Sequence, residues 1–133
     1  MTSNDALTQK YHYLFLGTAV YNWMVAVSML RPAGAYEALN ITPMPSEDYI
    51  LHLCCLLIGL YGFCYYWASQ DFPRYADLVW FAALGKVANL VLACVDIFLG
   101  VTSWQLMVLL FPDAVLVALF YNALMELKKV KKA

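Results

Sequence analysis

The sequence predicts an all-α fold: a polytopic transmembrane four-helix bundle with both termini cytoplasmic. Three observations carry this reading. Apolar residues make up 64% of the chain and charged residues 13%, against roughly 45–50% and 25% in soluble proteins. The charges are segregated, with four of the eight Lys and Arg in the tail Lys128, Lys129, Lys131 and Lys132. The apolar runs between charges reach the ~20 residues that a bilayer crossing needs. With 133 residues in all, the chain reads as one integral membrane domain, residues 1–133.

The first span is expected over about 11–30, after a short polar start. A cleaved signal peptide would want a basic start and a shorter apolar core. The segment therefore reads as a span, even though Ala33-Gly34-Ala35 mimics a cleavage site. The interval from Arg31 to Glu47 holds Pro32, Gly34, Pro43 and Pro45, which marks a loop or a segment on the lipid surface. Ala35 to Asn40 could form a single turn there. Ser46, followed by Glu47 and Asp48, is a helix-start signal, with acids facing the positive end of the helix dipole. The second span follows over about 48–68, and Pro73 in the next turn bars continuation from the left. The third covers about 75–99, and Gly100 with the short link Val101-Thr102-Ser103 joins it to the fourth, about 103–127. Links this short force neighbouring helices to run antiparallel.

Orientation follows from where Lys and Arg lie. Four spans put both termini on one side, which collects Lys10, Arg74, Lys128, Lys129, Lys131 and Lys132. The other side has Arg31 alone, beside Glu37, Glu47 and Asp48. Hence both termini are expected in the cytoplasm; in a bacterium the location would be the inner membrane. Trp67, Trp80 and Trp104 fall where interfacial belts lie, whereas Trp23 is mid-span.

At about 100° per residue each span divides into faces. In the third, Ala82, Gly85, Lys86, Asn89, Ala93 and Asp96 share one arc; in the second, Asp48, His52, Cys55, Gly59, Gly62, Tyr66 and Ser69 do so. In the first, Gly17, Thr18, Tyr21 and Ser28 share an arc, with Asn22 at its edge. Asp113 and Gln105 lean one way in the fourth span and Asn122 the other. Small and polar residues belong at helix contacts in lipid, where backbones approach and side chains bond across. Counting ~1.5 Å per residue from the cytoplasmic ends puts Lys86 at ~15–17 Å and Asp113 at ~18–20 Å, with Asn22 near the same plane.

Lys86, Asp113, Asn89, Asp96 and Asn22 are therefore the expected intramembrane polar site. Unpaired, a charge at span centre costs about 2.5–3.5 kcal/mol, so Lys86 and Asp113 are expected to pair, with Pro112 bending the fourth helix beside them. Such a pair either fixes how the third and fourth spans pack or serves as a proton or substrate site. The structural role is the first reading. His52, Cys55, Tyr21, Tyr61, Tyr65 and Tyr66 could line a place for a lipid-like or quinone-like ligand, although aromatics in spans are more often packing and interfacial anchors. The four cysteines lack paired metal-site spacing, and the only other histidine, His12, lies at the opposite surface, so no metal and no cofactor are expected. No phosphate loop, nucleophile elbow or paired-histidine motif is present, which leans against an enzyme.

The four-span layout, with a Pro-containing first outer loop, Phe72-Pro73-Arg74-Tyr75 before the third span, Ala83-Leu84-Gly85-Lys86 within it and Asp113 in the fourth, resembles small uncharacterised bacterial membrane proteins, DoxX-like in size and layout. That resemblance implies a compact four-helix membrane bundle and carries no catalytic residues. The function expected first is a non-enzymatic accessory or assembly subunit, packing among membrane lipids with other membrane subunits or in a homo-oligomer, and with no nucleic acid. Alternatives are a proton-coupled small-solute transporter using Lys86 and Asp113, and a membrane enzyme or binding protein for the lipid-like ligand.

Overall fold

In a computed structural model, residues 3–31, 33–43 and 48–131 are described. They form five helices: α1 (Ser3–Met29), α2 (Ala33–Leu39), α3 (Asp48–Gln70), α4 (Ala76–Phe98) and α5 (Leu106–Val130). No strand occurs among the described residues. Three helices are long and apolar enough to cross a membrane, over Tyr49–Gln70, Ala76–Phe98 and Leu106–Val130, and little of each is buried. In water such a surface would drive aggregation. The first helix is not among the three. It starts eight residues before the expected Tyr11, and Thr18, Tyr21 and Asn22 interrupt its apolar run. The fourth segment is also displaced, from 103–127 to Leu106–Val130. Its entry is a tight turn in which Leu106, Met107 and Val108 donate three residues back, to the carbonyls of Ser103, Trp104 and Gln105. Ser46, Glu47 and Lys132, which carried the helix-start and tail readings, lie outside the described residues.

Two of the helix ends have the same physical cause. Where a single turn was expected, α2 makes seven residues and stops at Asn40, whose φ is 51°. There Asn40 N–H donates to Glu37 O and Ile41 N–H to Tyr36 O, the paired closure known as a Schellman motif. The same pair of bonds ends α4, from Gly100 N–H to Ile97 O and from Val101 N–H to Asp96 O at 2.8 Å. Gly100 has φ 71°, a backbone that glycine adopts without steric cost. That residue turns α4 back into α5.

Packing gives the bundle two ends. Lys10 of α1 pairs with Glu126 of α5, and Phe72, in the α3–α4 turn, donates its N–H to Thr8 Oγ1. These contacts gather both ends of the described chain and the α3–α4 turn at one end, the terminal end. At the opposite end Ser103 N–H donates to Thr42 O, and Thr42 N–H to Ser103 Oγ. The core lies toward the terminal end: Phe15, Tyr65, Phe72, Val79 and Phe120 are wholly buried, with Ala123, Leu124 and Leu127 beside them. Its centre is a run of rings, with Phe15–Phe72 centroids at 4.9 Å, Phe15–Phe120 at 5.6 Å and Tyr65–Phe120 at 5.0 Å. Toward the other end α1 stays against α3, with Leu51 and Cys55 buried and Gly59 facing Ala26, whereas Cys54, Leu57, Leu92 and Asn89 are exposed.

Candidate functional site: a buried polar node

Each long helix brings a polar side chain to one level of the bundle. From α4, Lys86 Nζ stands 2.5 Å from Asp113 Oδ1 of α5, with side chains 10% and 15% exposed. From α1, Asn22 Oδ1 accepts from Lys86 at 3.4 Å, and Asn22 Nδ2 donates to Ile58 O of α3 at 3.3 Å. The rings of Tyr21 and Tyr65 flank the ammonium, their centroids 5.8 and 5.9 Å from Nζ. Cation–π contact of this kind is worth about 2 kcal/mol when desolvated. Lys86 therefore has a carboxylate, an amide oxygen and two ring faces. Its position on α4 is set by helical spacing: Val79, Ala82, Lys86 and Ala93 are the buried stripe. The alanines leave room for the lysine stem to reach across. Pro112 lies within α5 immediately before Asp113; its nitrogen cannot donate to Val108 O, which weakens the helix beside the carboxylate.

Tyr65 is the member with an unspent group. The residue is wholly buried and its hydroxyl has no hydrogen-bond partner. A buried unsatisfied hydroxyl costs about 1–3 kcal/mol. Tyr66, which shares the polar arc expected of the second span, lies one residue on and ~100° around the helix; it is exposed and packs its ring against Trp23.

Apart from Tyr21 and Tyr65, the other expected site residues do not join the node. Asn89 is exposed, and Asp96 is half-buried two turns further along α4. Although both share an arc with Lys86, α3 and α4 meet closely lower down, where Tyr61 fills the space over Gly85 and its ring lies 6.0 Å from Phe81. His52 is exposed while Cys55 is buried. Among the described residues no three His, Cys, Asp or Glu side chains gather as a metal site. Tyr21, Tyr61 and Tyr66 are dispersed over three neighbourhoods rather than around one cavity. Two surface recesses lie elsewhere. One is apolar, on α4 around Leu90, Cys94 and Phe98. The other is polar, between α1 and the end of α3, around Asp5, Gln9, His12, Ser69 and Asp71.

A second polar cluster was not anticipated. Lys10 Nζ contacts both oxygens of Glu126 at 2.7 Å, and Tyr11 Oη donates to Glu126 Oε2 at 2.5 Å. The hydrogen bond to Glu126 holds the Lys10 ammonium above its ordinary range. Each residue sits at the edge of an apolar run, where sequence spacing alone gives no partner 116 positions away. Compared with protein-family models, curated proteins and solved structures, the chain matches none.

Proposed function

We propose that this chain is a small integral membrane protein crossing the bilayer four times, with both ends cytoplasmic, and that it serves as a non-enzymatic assembly subunit beside other membrane segments. Support for the fourth crossing comes from α1. Its start is tied to the end of α5 through Lys10 and Glu126, and the segment after it reaches the α4–α5 turn through Thr42 and Ser103. Between these ends α1 lies along α3, with Asn22 on Ile58 O and Ala26 facing Gly59, which supports a fourth crossing beside the three apolar helices. The basic residues Lys10, Arg74, Lys128, Lys129 and Lys131 cluster at the terminal end, which the positive-inside rule places in the cytoplasm.

The observation that carries the assembly reading is Asn89. Its amide is exposed near the middle of α4 and has no partner among the described residues. Polar side chains at that depth bond to another helix. In this reading the Lys86–Asp113 pair is a clip between α4 and α5, steadied from α1 by Asn22. Copurification from native membranes in mild detergent tests it: stable association is expected, and a strictly monomeric chain with no partner would sink it.

A second reading, a proton-coupled carrier of a small solute, is favoured by the buried, unbonded Tyr65 hydroxyl next to the ion pair. Substitution separates the two. Lys86→Met alone strands a carboxylate and should cost about 3–5 kcal/mol, whereas Lys86→Met with Asp113→Leu should be near neutral or stabilising. If the double variant folds and restores everything that either single change loses, the pair is a clip. If it folds with its assemblies intact but loses a proton-driven solute flux that the wild type shows, the carrier reading stands.

A further inference from the structure

We infer that the partner of Asn89 is a second copy of this chain, and that α4 meets its two-fold mate at this residue. The inference rests on the assembly reading and gives it an occupant. Asn22, Lys86 and Asp113 are spent on one another within the chain, and Thr18 bonds to the carbonyl of Leu14 on its own helix. Asn89 remains. It lies about 20 Å from the start of α4 and about 14 Å from its end, too deep for its short side chain to reach either aqueous surface.

The chemistry of the amide selects the mate. Asparagine offers one acceptor oxygen and two donor hydrogens, so it is complementary to itself. Two such groups facing each other across a two-fold axis exchange a pair of N–H···O bonds, which is the isologous contact of a symmetric dimer. A purely apolar partner helix would leave the amide unbonded. The flanks suit a helix contact as well: Leu92 and Leu99 follow Asn89 at helical spacing, and both are exposed, 57% and 66%. Asp96 falls on the same stripe, half-buried, about 10 Å further along. It stands close to the end of α4, so two crossing helices that meet at Asn89 diverge before their carboxylates approach.

The test uses the full chain in bilayer discs of neutral phospholipid, with copy number counted by single-molecule photobleaching over a dilution series. Dimers are expected for the wild type, with affinity about tenfold weaker in Asn89→Leu and largely kept in Asn89→Gln, which retains the amide. In a variant with its four cysteines changed to alanine, Asn89→Cys should form a disulfide-linked dimer within the membrane, and Phe81→Cys, more than two turns away, should link less. Equal dimerisation of Asn89→Leu and wild type would overturn the inference, as would single copies at every dilution. If single copies persist but a different membrane protein copurifies from native membranes, this inference fails and the assembly reading survives. Single copies with no partner anywhere remove both.

Discussion

Close approach at single residues determines how α1 and α3 fit. Trp23 Nε1 donates to Gly59 O at 3.2 Å, and the indole lies over Gly62, where an added Cβ would stand 2.6 Å from Trp23 Cδ1. A Cβ at Gly59 would meet only Ala26 Cβ, at 3.8 Å, an ordinary contact. The two glycines, one turn apart, should therefore respond in opposite ways. Gly62→Ala is expected to cost about 1–3 kcal/mol, because the indole must move out of a packed seam. Gly59→Ala is expected to be neutral or to gain up to about 1 kcal/mol from helix propensity. Thermal unfolding in one detergent, monitored by helix content, would show the split. Trp23 falls in the middle of the expected first span and is thus anomalous as an interfacial anchor. Its role is instead a hydrogen bond to a backbone oxygen left accessible by glycines, which residue type and depth alone do not disclose.

At the scale of the element, depth and face counting recover part of the node. Lys86 and Asp113 lie level because the Gly100 turn makes α4 and α5 antiparallel with little stagger, and rise per residue is then a ruler. Face counting does less well, since it treats a helix as having one neighbour along its whole length. Asn89 is within ~60° of Lys86 around α4, yet one is exposed and the other buried, because Tyr61 and Gly85 mark the level of close α3–α4 approach. Tyr65, and not Tyr66, reaches the ion pair because the two point ~100° apart around α3. The Lys10–Glu126–Tyr11 cluster was invisible for another reason: it joins the first helix to the last, and no local pattern encodes that pairing. The Gly100 turn itself gives a prediction. With φ 71°, any branched side chain there meets the left-handed penalty of roughly 1–2 kcal/mol. Gly100→Val should fray the last turn of α4, so that the amides of Leu99, Gly100 and Val101 exchange with deuterium faster than in wild type. Gly100→Asn should lie much nearer wild type, as Asn40 already holds a positive φ at the end of α2. Equal exchange in all three proteins would mean that the closure does not depend on the glycine.

For the whole molecule, the question is what sets its direction in the bilayer. The core and the basic residues share the terminal end. Phe15, Phe72 and Phe120 lock α1, the α3–α4 turn and α5 together there, and Lys10, Arg74, Lys128, Lys129 and Lys131 lie at the same end. Lys10 is neutralised locally by Glu126, which leaves the exposed lysines of the tail as the larger share of the bias. Packing is indifferent to which way the bundle faces; only the charge asymmetry across the membrane is not. Removing the tail charges should thus leave the fold intact and weaken the orientation. Changing Lys128, Lys129, Lys131 and Lys132 to Gln leaves Lys10 and Arg74 against Arg31, and a mixture of the two orientations is expected. Single cysteines at Ser3 and Thr102, at opposite ends of the bundle, would report it in a background where the four native cysteines are alanine. In the wild-type orientation an impermeant maleimide added outside cells should label Thr102→Cys and spare Ser3→Cys. In the tail variant both positions should label in part, with unchanged thermal stability after purification. Complete protection of Ser3→Cys in the tail variant would show that orientation is fixed elsewhere, with Arg74 beside the α3–α4 turn the next residue to change. Labelling of both positions in wild type would instead deny that α1 and its partners cross the membrane with both ends inside.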